Sequence, residues 1–184
     1  GGGAGGRIVP FGGTYTAAVL VPFGHAKLDA TTVAGPLGNT TSRSGSRSDL
    51  SDIAFVPLQL NWQVGEFAFK AAQAIIAPTG GYSIDRAINL GRNYWSFDTQ
   101  GAVTWFHQAT GSEVSLAPGI MFNTKNNATD YTTGTEFHLD FVANQFLSSN
   151  FAIGLRGYWY EQITADSGSG AVLGDFKSSS FGIG

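Results

Sequence analysis

The sequence predicts an all-β chain folded as an antiparallel, transmembrane, up-and-down β-barrel. Three observations predict it. Apolar and polar residues alternate with period 2 along at least eight segments, the connections between segments alternate short and long, and aromatic residues gather at both ends of the segments. Composition agrees: 26 Gly with 14 Phe, 6 Tyr and 4 Trp, and only 12% charged residues, is a β composition. No apolar run reaches the 18 or so residues of a membrane-spanning helix; AAVLVPF (17–23) and AAQAIIAP (71–78) fall far short.

Each segment follows from the alternation, because successive side chains on a strand take opposite faces. Residues 14–28 place Tyr15, Ala17, Val19, Val21 and Phe23 on one face. In 56–63, Val56, Leu58, Leu60 and Trp62 oppose Pro57, Gln59, Asn61 and Gln63. In 66–77, Phe67, Phe69, Ala71, Ile75 and Ala77 align, with Gln73 the exception and Lys70 opposite. Residues 94–107 give Trp95, Phe97, Val103 and Trp105, less cleanly. Residues 113–123 set Val114, Leu116, Ile120 and Phe122 against Glu113, Ser115 and Asn123. Residues 136–147 align Phe137, Leu139, Phe141, Ala143 and Leu147. Residues 150–162 set Phe151, Ile153, Leu155 and Trp159 against Arg156, Tyr158, Tyr160 and Gln162. Residues 177–184 begin an eighth strand with Phe181 and Ile183. Ten tilted strand residues span roughly 25 Å, the height of an outer-membrane apolar band.

The short connections are VGE (64–66), QATGS (108–112) and SSN (148–150); the long ones are 29–49, 78–93, 124–135 and 164–176. Short turns at one end and long polar loops at the other is the asymmetry of an outer-membrane barrel. TTSRSGSRSD (40–49) has the composition of a mobile loop. Trp62, Phe67, Trp105, Phe106, Phe146 and Phe151 flank the short turns. Phe55, Tyr94, Trp95, Phe97, Phe122, Tyr131, Phe137, Trp159 and Tyr160 flank the long loops, so two aromatic girdles are expected.

In TEFHLDFVANQ (135–145), Glu136, His138 and Asp140 share a face opposite Phe137, Leu139 and Phe141. A barrel turns the apolar face to lipid and the polar face to its lumen, which accounts for the trio without a metal. The expected lumen lining is Gln59, Asn61, Lys70, Glu113, Glu136, His138, Asp140, Arg156 and Tyr158. A tight turn at Ser148–Ser149 pairs Asp140 with Tyr158 and Val142 with Arg156, leaving Asp140 and Arg156 diagonal neighbours in reach of an ion pair. Glu136 and His138, nearer the outer end, are expected to remain free to meet solute. In the loop PTGGYSIDRAINLGRN (78–93), Asp85 and Arg86 could contact solute, and Arg86 and Arg92 could meet lipopolysaccharide phosphate.

Other classes are excluded or disfavoured. A net charge of -3 argues against nucleic acid, and the absence of Cys removes disulfides, thiolate chemistry and Cys-bound zinc. Ser96, Ser115, His25, His107 and His138 form no pattern joining a nucleophile to a base, so no enzyme, catalytic residue, metal or cofactor is expected. The opening GGGAGGRIVPFGG lacks an initiator Met, a basic region and an apolar core, and the chain stops on SFGIG. Both ends read as cuts, so residues 1–184 are expected to be one barrel domain truncated at both ends.

Four blocks are familiar together: APTGGY (77–82), LGRNYWSFDTQGAVTW (90–105), FNTKNNATDYTTGTEFHLD (122–140) and LGDFKSSSFGIG (173–184). From about residue 50 onward the chain resembles the outer-membrane transporter family of the MetA-pathway of phenol degradation. The resemblance implies a bacterial outer-membrane barrel of about 12 strands, akin to hydrocarbon and fatty-acid channels, whose members are longer at both ends. It implies passive uptake of small hydrophobic or aromatic solutes, with outer-membrane lipid and lipopolysaccharide as partners. The alternatives are a structural or adhesive barrel whose long loops bind partners, a barrel enzyme, and a soluble lipocalin-like barrel.

Overall fold

The computed structural model describes residues 10–34 and 39–184. After a single 3-10 turn at Pro10–Gly12, ten strands follow: β1 (Thr14–Leu20), β2 (Phe23–Ala34), β3 (Asn39–Leu50), β4 (Ile53–Val64), β5 (Phe67–Ala77), β6 (Ser96–His107), β7 (Ser112–Asn123), β8 (Glu136–Ser148), β9 (Phe151–Gln162) and β10 (Ser179–Ile183). Eight form one antiparallel sheet in the order β1-β4-β5-β6-β7-β8-β9-β10, and β2 and β3 pair only with each other. Among the described residues, β1 and β10 each have a single neighbour.

The short connections are tight turns. Gly65 and Gly111 take positive φ, +58° and +69°, in the left-handed region where a Cβ is penalised. The third turn fixes the β8/β9 register: Asp140 opposes Tyr158 and Val142 opposes Arg156, as the spacing predicts, with one irregularity between Phe146 and Ser148.

Three expectations need correction. Residues 14–28 are not one strand. The ladder with β4 stops at Leu20, where Pro22 offers no N–H to continue it; instead the Pro22 carbonyl accepts from Ser51 N (2.9 Å). Residues 29–49 are not a loop but most of the β2/β3 hairpin, paired residue by residue from Phe23↔Leu50 to Ala34↔Asn39. TTSRSGSRSD lies wholly in β3, where side chains pair across the strands (the Thr31 and Ser42 hydroxyls, 3.2 Å; His25 Nδ1 with the Ser48 hydroxyl, 2.8 Å). The 78–95 loop braces the hairpin's base: the Ser51 hydroxyl donates to Leu90 O (2.7 Å), and a Cβ on Gly45 would touch Ala87 at 3.4 Å. Finally, the register of β4 slips between Phe55 and Leu58, so Val56 does not share the Leu58 face. Pro57 sits in this bulge, and its carbonyl accepts from Tyr15 OH (2.6 Å).

From Leu58 to β10 the register keeps the two faces apart. Leu60, Phe69, Val103, Leu116, Phe141 and Gly157 lie on one face; Asn61, Lys70, Ala102, Ala117, Asp140 and Tyr158 lie on the other. Gln73, the polar exception on the apolar face, is satisfied there: its amide accepts from the Thr99 hydroxyl (2.7 Å) and donates to Asp98 O (3.1 Å). Phe106 and Phe146 leave the expected girdle, because Phe106 pairs with Glu113 and Phe146 with Ala152 on the polar face, where their rings meet edge-on.

Burial is inverted relative to a water-soluble domain. Among the described residues the buried apolar side chains are Ala72 and Ala77, whereas Asp52, Ser96, Asp98, Asn126 and Gln162 are buried polar ones. Val19, Ile153 and Phe181 are more than 60% exposed, and Phe67, Phe69, Leu116, Phe122 and Leu155 of the apolar face are exposed as well.

Candidate functional site

All nine residues expected to line a lumen lie on the polar face by register. Gln59, Asn61 and Lys70 come from β4 and β5, Glu113 from β7, and Glu136, His138, Asp140, Arg156 and Tyr158 from β8 and β9. Their surroundings differ along the strands.

Towards the long loops the face is a bonded network. Glu136 accepts from Asn123 Nδ2 (2.8 Å) and from Tyr160 OH (2.5 Å), and Asn123 Oδ1 accepts from the buried Ser96 hydroxyl (2.7 Å). His138 Nε2 lies 3.0 Å from Asp98 Oδ1, while Asp98 Oδ2 accepts from Gln100 (2.6 Å). Glu136 and His138 are therefore held by neighbours rather than free for solute. Satisfied polar groups of this kind rigidify the structure.

His138 reaches Asp98 from two strands away by lying across Gly119 of β7. A Cβ at Gly119 would stand 2.2 Å from His138 Nε2, so only glycine leaves the path open. The apolar face repeats the device: the Phe141 ring covers Gly157, where a Cβ would meet Cζ at 2.4 Å, and stacks on Phe181.

Mid-strand and towards the short turns the face is less bonded. Gln59 Nε2 donates to Asn61 Oδ1 (3.3 Å), and Glu113 accepts from Ser115 (3.3 Å). The expected Asp140–Arg156 ion pair is absent, although the register that placed them as diagonal neighbours is correct. Arg156 Nε instead lies 3.8 Å from where a Cβ on Gly184 would stand, on the β10 side, where glycines leave room. Tyr158 lies over Gly182 in the same way. Glu136, His138 and Asp140 do not converge, and no group of three metal-binding side chains occurs among the described residues.

The long loops interlock. Asp52, buried at the β3–β4 junction, accepts from Gly80 N (2.9 Å) and Arg92 N (2.8 Å) and so pins the 78–95 loop. Asp85 and Arg86 are exposed. Arg92 is engaged: its guanidinium stacks 5.5 Å from the Tyr94 ring centroid, its Nε is 3.9 Å from Asp52, and its Nη1 is 3.9 Å from Met121 Sδ at the rim of the polar face. Asn93 donates to Asn126 (2.8 Å), tying this loop to 124–135. Asp166 then joins 124–135 to 163–178, accepting from Tyr131 OH, Gly134 N (3.0 Å) and Gln162 (2.6 Å). Burial and then the bond to Asp166 push the Tyr131 phenol up to about 12. Burial opposes ionisation of Asp166, but these three donors outweigh it and hold its carboxyl below the ordinary value. Lys125 and Ser169 hold Asp130 far below its ordinary value.

At the opposite end, Glu66 accepts from Trp105 Nε1 (2.9 Å) and contacts His107 Nδ1 (2.5 Å); the His107 bond and then the Trp105 bond lower its pKa. Sequence reasoning missed Asp98, Gln100 and Asp166, and placed Asn123 on the polar side of its strand without a role. Asp98 and Gln100 are the even-numbered polar partners of a strand already read as alternating, so parity alone could have named them. Asp166 lies in a loop and carries no periodic signal.

No helix of the described residues is long and apolar enough to cross a membrane, which leaves strands as the elements to consider. No curated protein matches the sequence. In three dimensions the chain is similar to the crystal structure of an outer membrane channel from Pseudomonas putida F1, with a TM-score of 0.72 and 18% identity. The match covers 93% of this chain and 62% of that one, so the chain spans under two thirds of its structural neighbour. At that identity the likeness establishes the fold alone, that of an antiparallel outer-membrane β-barrel. A family model, described as "Putative MetA-pathway of phenol degradation", matches residues 7–184, and the chain belongs to that family.

Proposed function

We propose that this chain forms wall of an outer-membrane channel for passive uptake of small hydrophobic or aromatic solutes. The observation that carries the reading is the inverted burial: long strands expose one apolar face while polar side chains are buried on the other. Apolar surface on that scale is costly in water and suited to lipid. The polar face, with Gln59, Asn61, Lys70, Glu113, Glu136, His138, Asp140, Arg156 and Tyr158, then lines the lumen. Lipid tolerates no open sheet edge, so the proposal includes further strands joining β1 and β10, about twelve in all, within one barrel domain. Arg86, exposed on its loop, is the cation offered to lipopolysaccharide phosphate, since Arg92 is occupied. No catalytic step is assigned to any residue.

Liposome swelling with the purified protein, using solutes graded in size and polarity, tests the reading. Swelling that falls off with solute size is expected. Swelling no faster than in protein-free liposomes for every solute would sink it. A binding role for the loops is the second reading, favoured by the β2/β3 hairpin, which pairs with no strand of the main sheet.

A further inference from the structure

The polar face holds a cavity of about 440 Å³ against β1, β4, β5 and β6, near the short turns. Of the residues that line it, Thr14, Asn61, Gln63, Lys70, Ala102 and Thr104 lie on the polar face by register, while Trp62 and Phe69 belong to the apolar face. No carboxylate lines it. The small side chain of Ala102, directly opposite Lys70, leaves the space open.

Lys70 is a charge without a counter-charge. It makes no ion pair among the described residues. Its row across the sheet runs from Asn61 through Lys70 to Ala102, and from Ala117 to Asp140. The Gln100↔Gly119 and Val103↔Leu116 pairs bracket Ala102 opposite Ala117. Asp140, the first carboxylate in that row, is therefore three strands away, about 14 Å at the usual strand spacing. That exceeds the screening length of about 8 Å at physiological salt. Asp98, the acid on β6, is already bonded to His138 and Gln100. Beside Lys70, Asn61 Oδ1 accepts from Gln59, which leaves the Asn61 amide N–H groups to donate into the cavity. An ammonium and a carboxamide donor around an uncharged, partly apolar hollow complement an anion that carries a small apolar body.

We propose that Lys70 and Asn61 form a carboxylate-binding station for small organic acids, so that the lumen favours monoanionic solutes over their neutral analogues. The ammonium takes one carboxylate oxygen, Asn61 donates to the other, and the solute's apolar part rests against Ala102. This inference rests on the channel reading and refines it.

The test reconstitutes the purified protein in liposomes and compares entry of benzoate with benzyl alcohol, a neutral molecule of similar size, at pH 7. The variants are Lys70→Gln, Lys70→Arg and Asn61→Leu, each checked for folding by heat-modifiability on a gel. Benzoate entry is expected to fall about fivefold in Lys70→Gln, as loss of one partly exposed ionic contact implies. It should persist in Lys70→Arg and fall less in Asn61→Leu, with benzyl alcohol entry unchanged throughout. Zero-current potentials under a salt gradient should shift towards cation preference in Lys70→Gln. Benzoate entry in folded Lys70→Gln equal to that of the unaltered protein overturns the station and leaves the channel standing. Entry of both solutes no faster than into protein-free liposomes overturns the channel reading and the station with it.

Discussion

His138 and Gly119 show how a single atom decides a contact in this wall. The imidazole crosses the glycine to reach Asp98, and a Cβ at 2.2 Å would block it. Gly119→Val is therefore expected to cost about 1–3 kcal/mol, through displacement of His138 from its bond to the buried Asp98. Gly101→Ala makes the control: its nearest heavy atom would be Lys70 O at 3.9 Å, so its effect should stay within about 0.5 kcal/mol. Denaturant midpoints of refolded protein in detergent compare the two, and equal losses would show that the glycine path is immaterial. At this scale the sequence was legible where geometry has one answer. The period of two put Gln59 to Tyr158 on one face, and a tight turn paired Asp140 with Tyr158. Pairing of side chains was less legible. Register places Arg156 within reach of Asp140, but its side chain turns the other way, towards Gly184, and glycine leaves no trace in an alternation pattern.

Among the elements, the long loops are legible as loops but not as a docked set, because their ties are single carboxylates without periodicity. Asp130 and Asp166 both have folded values below the ordinary 3.8. Their contribution is thus fully present above that value and is lost as pH falls through the lower folded values. Tyr131 has the opposite sign. Its folded value is raised from 10.0 to about 12, so its contribution holds below 10 and fades as pH rises towards 12. Amide hydrogen exchange across 124–135 and 163–178 should show constant protection, after correction for intrinsic rate, from pH 5 to 9, with loss below about 4. Protection already declining between pH 7 and 5 would assign the docking to other groups. The β2/β3 hairpin was hidden for a different reason. Its Ser, Thr and Arg residues have no apolar face to alternate, and its stability comes from the ladder and from the loop at its base.

For the whole molecule, the hairpin is an excursion rather than a part of the wall. β1 resumes the sheet against β4 as though β2 and β3 were absent. Replacing residues 23–50 with a short Gly/Ser link should leave an intact sheet, seen as unchanged heat-modifiability, while the 78–95 loop loses its packing and exchanges faster. A barrel that no longer refolds would make the hairpin part of the wall. The neighbour-to-neighbour order of β4 to β10 also bears on the time course of folding. Each of those strands meets its partner across one connection, so little chain entropy is lost at each step, and growth can proceed strand by strand. The β1–β4 pairing alone must wait for a distant segment, and prior closure of β2 on β3 shortens that search. Lesions at the β2/β3 junction should therefore slow assembly without lowering the stability finally reached, separating rate from equilibrium in a protein whose other pairings keep them together.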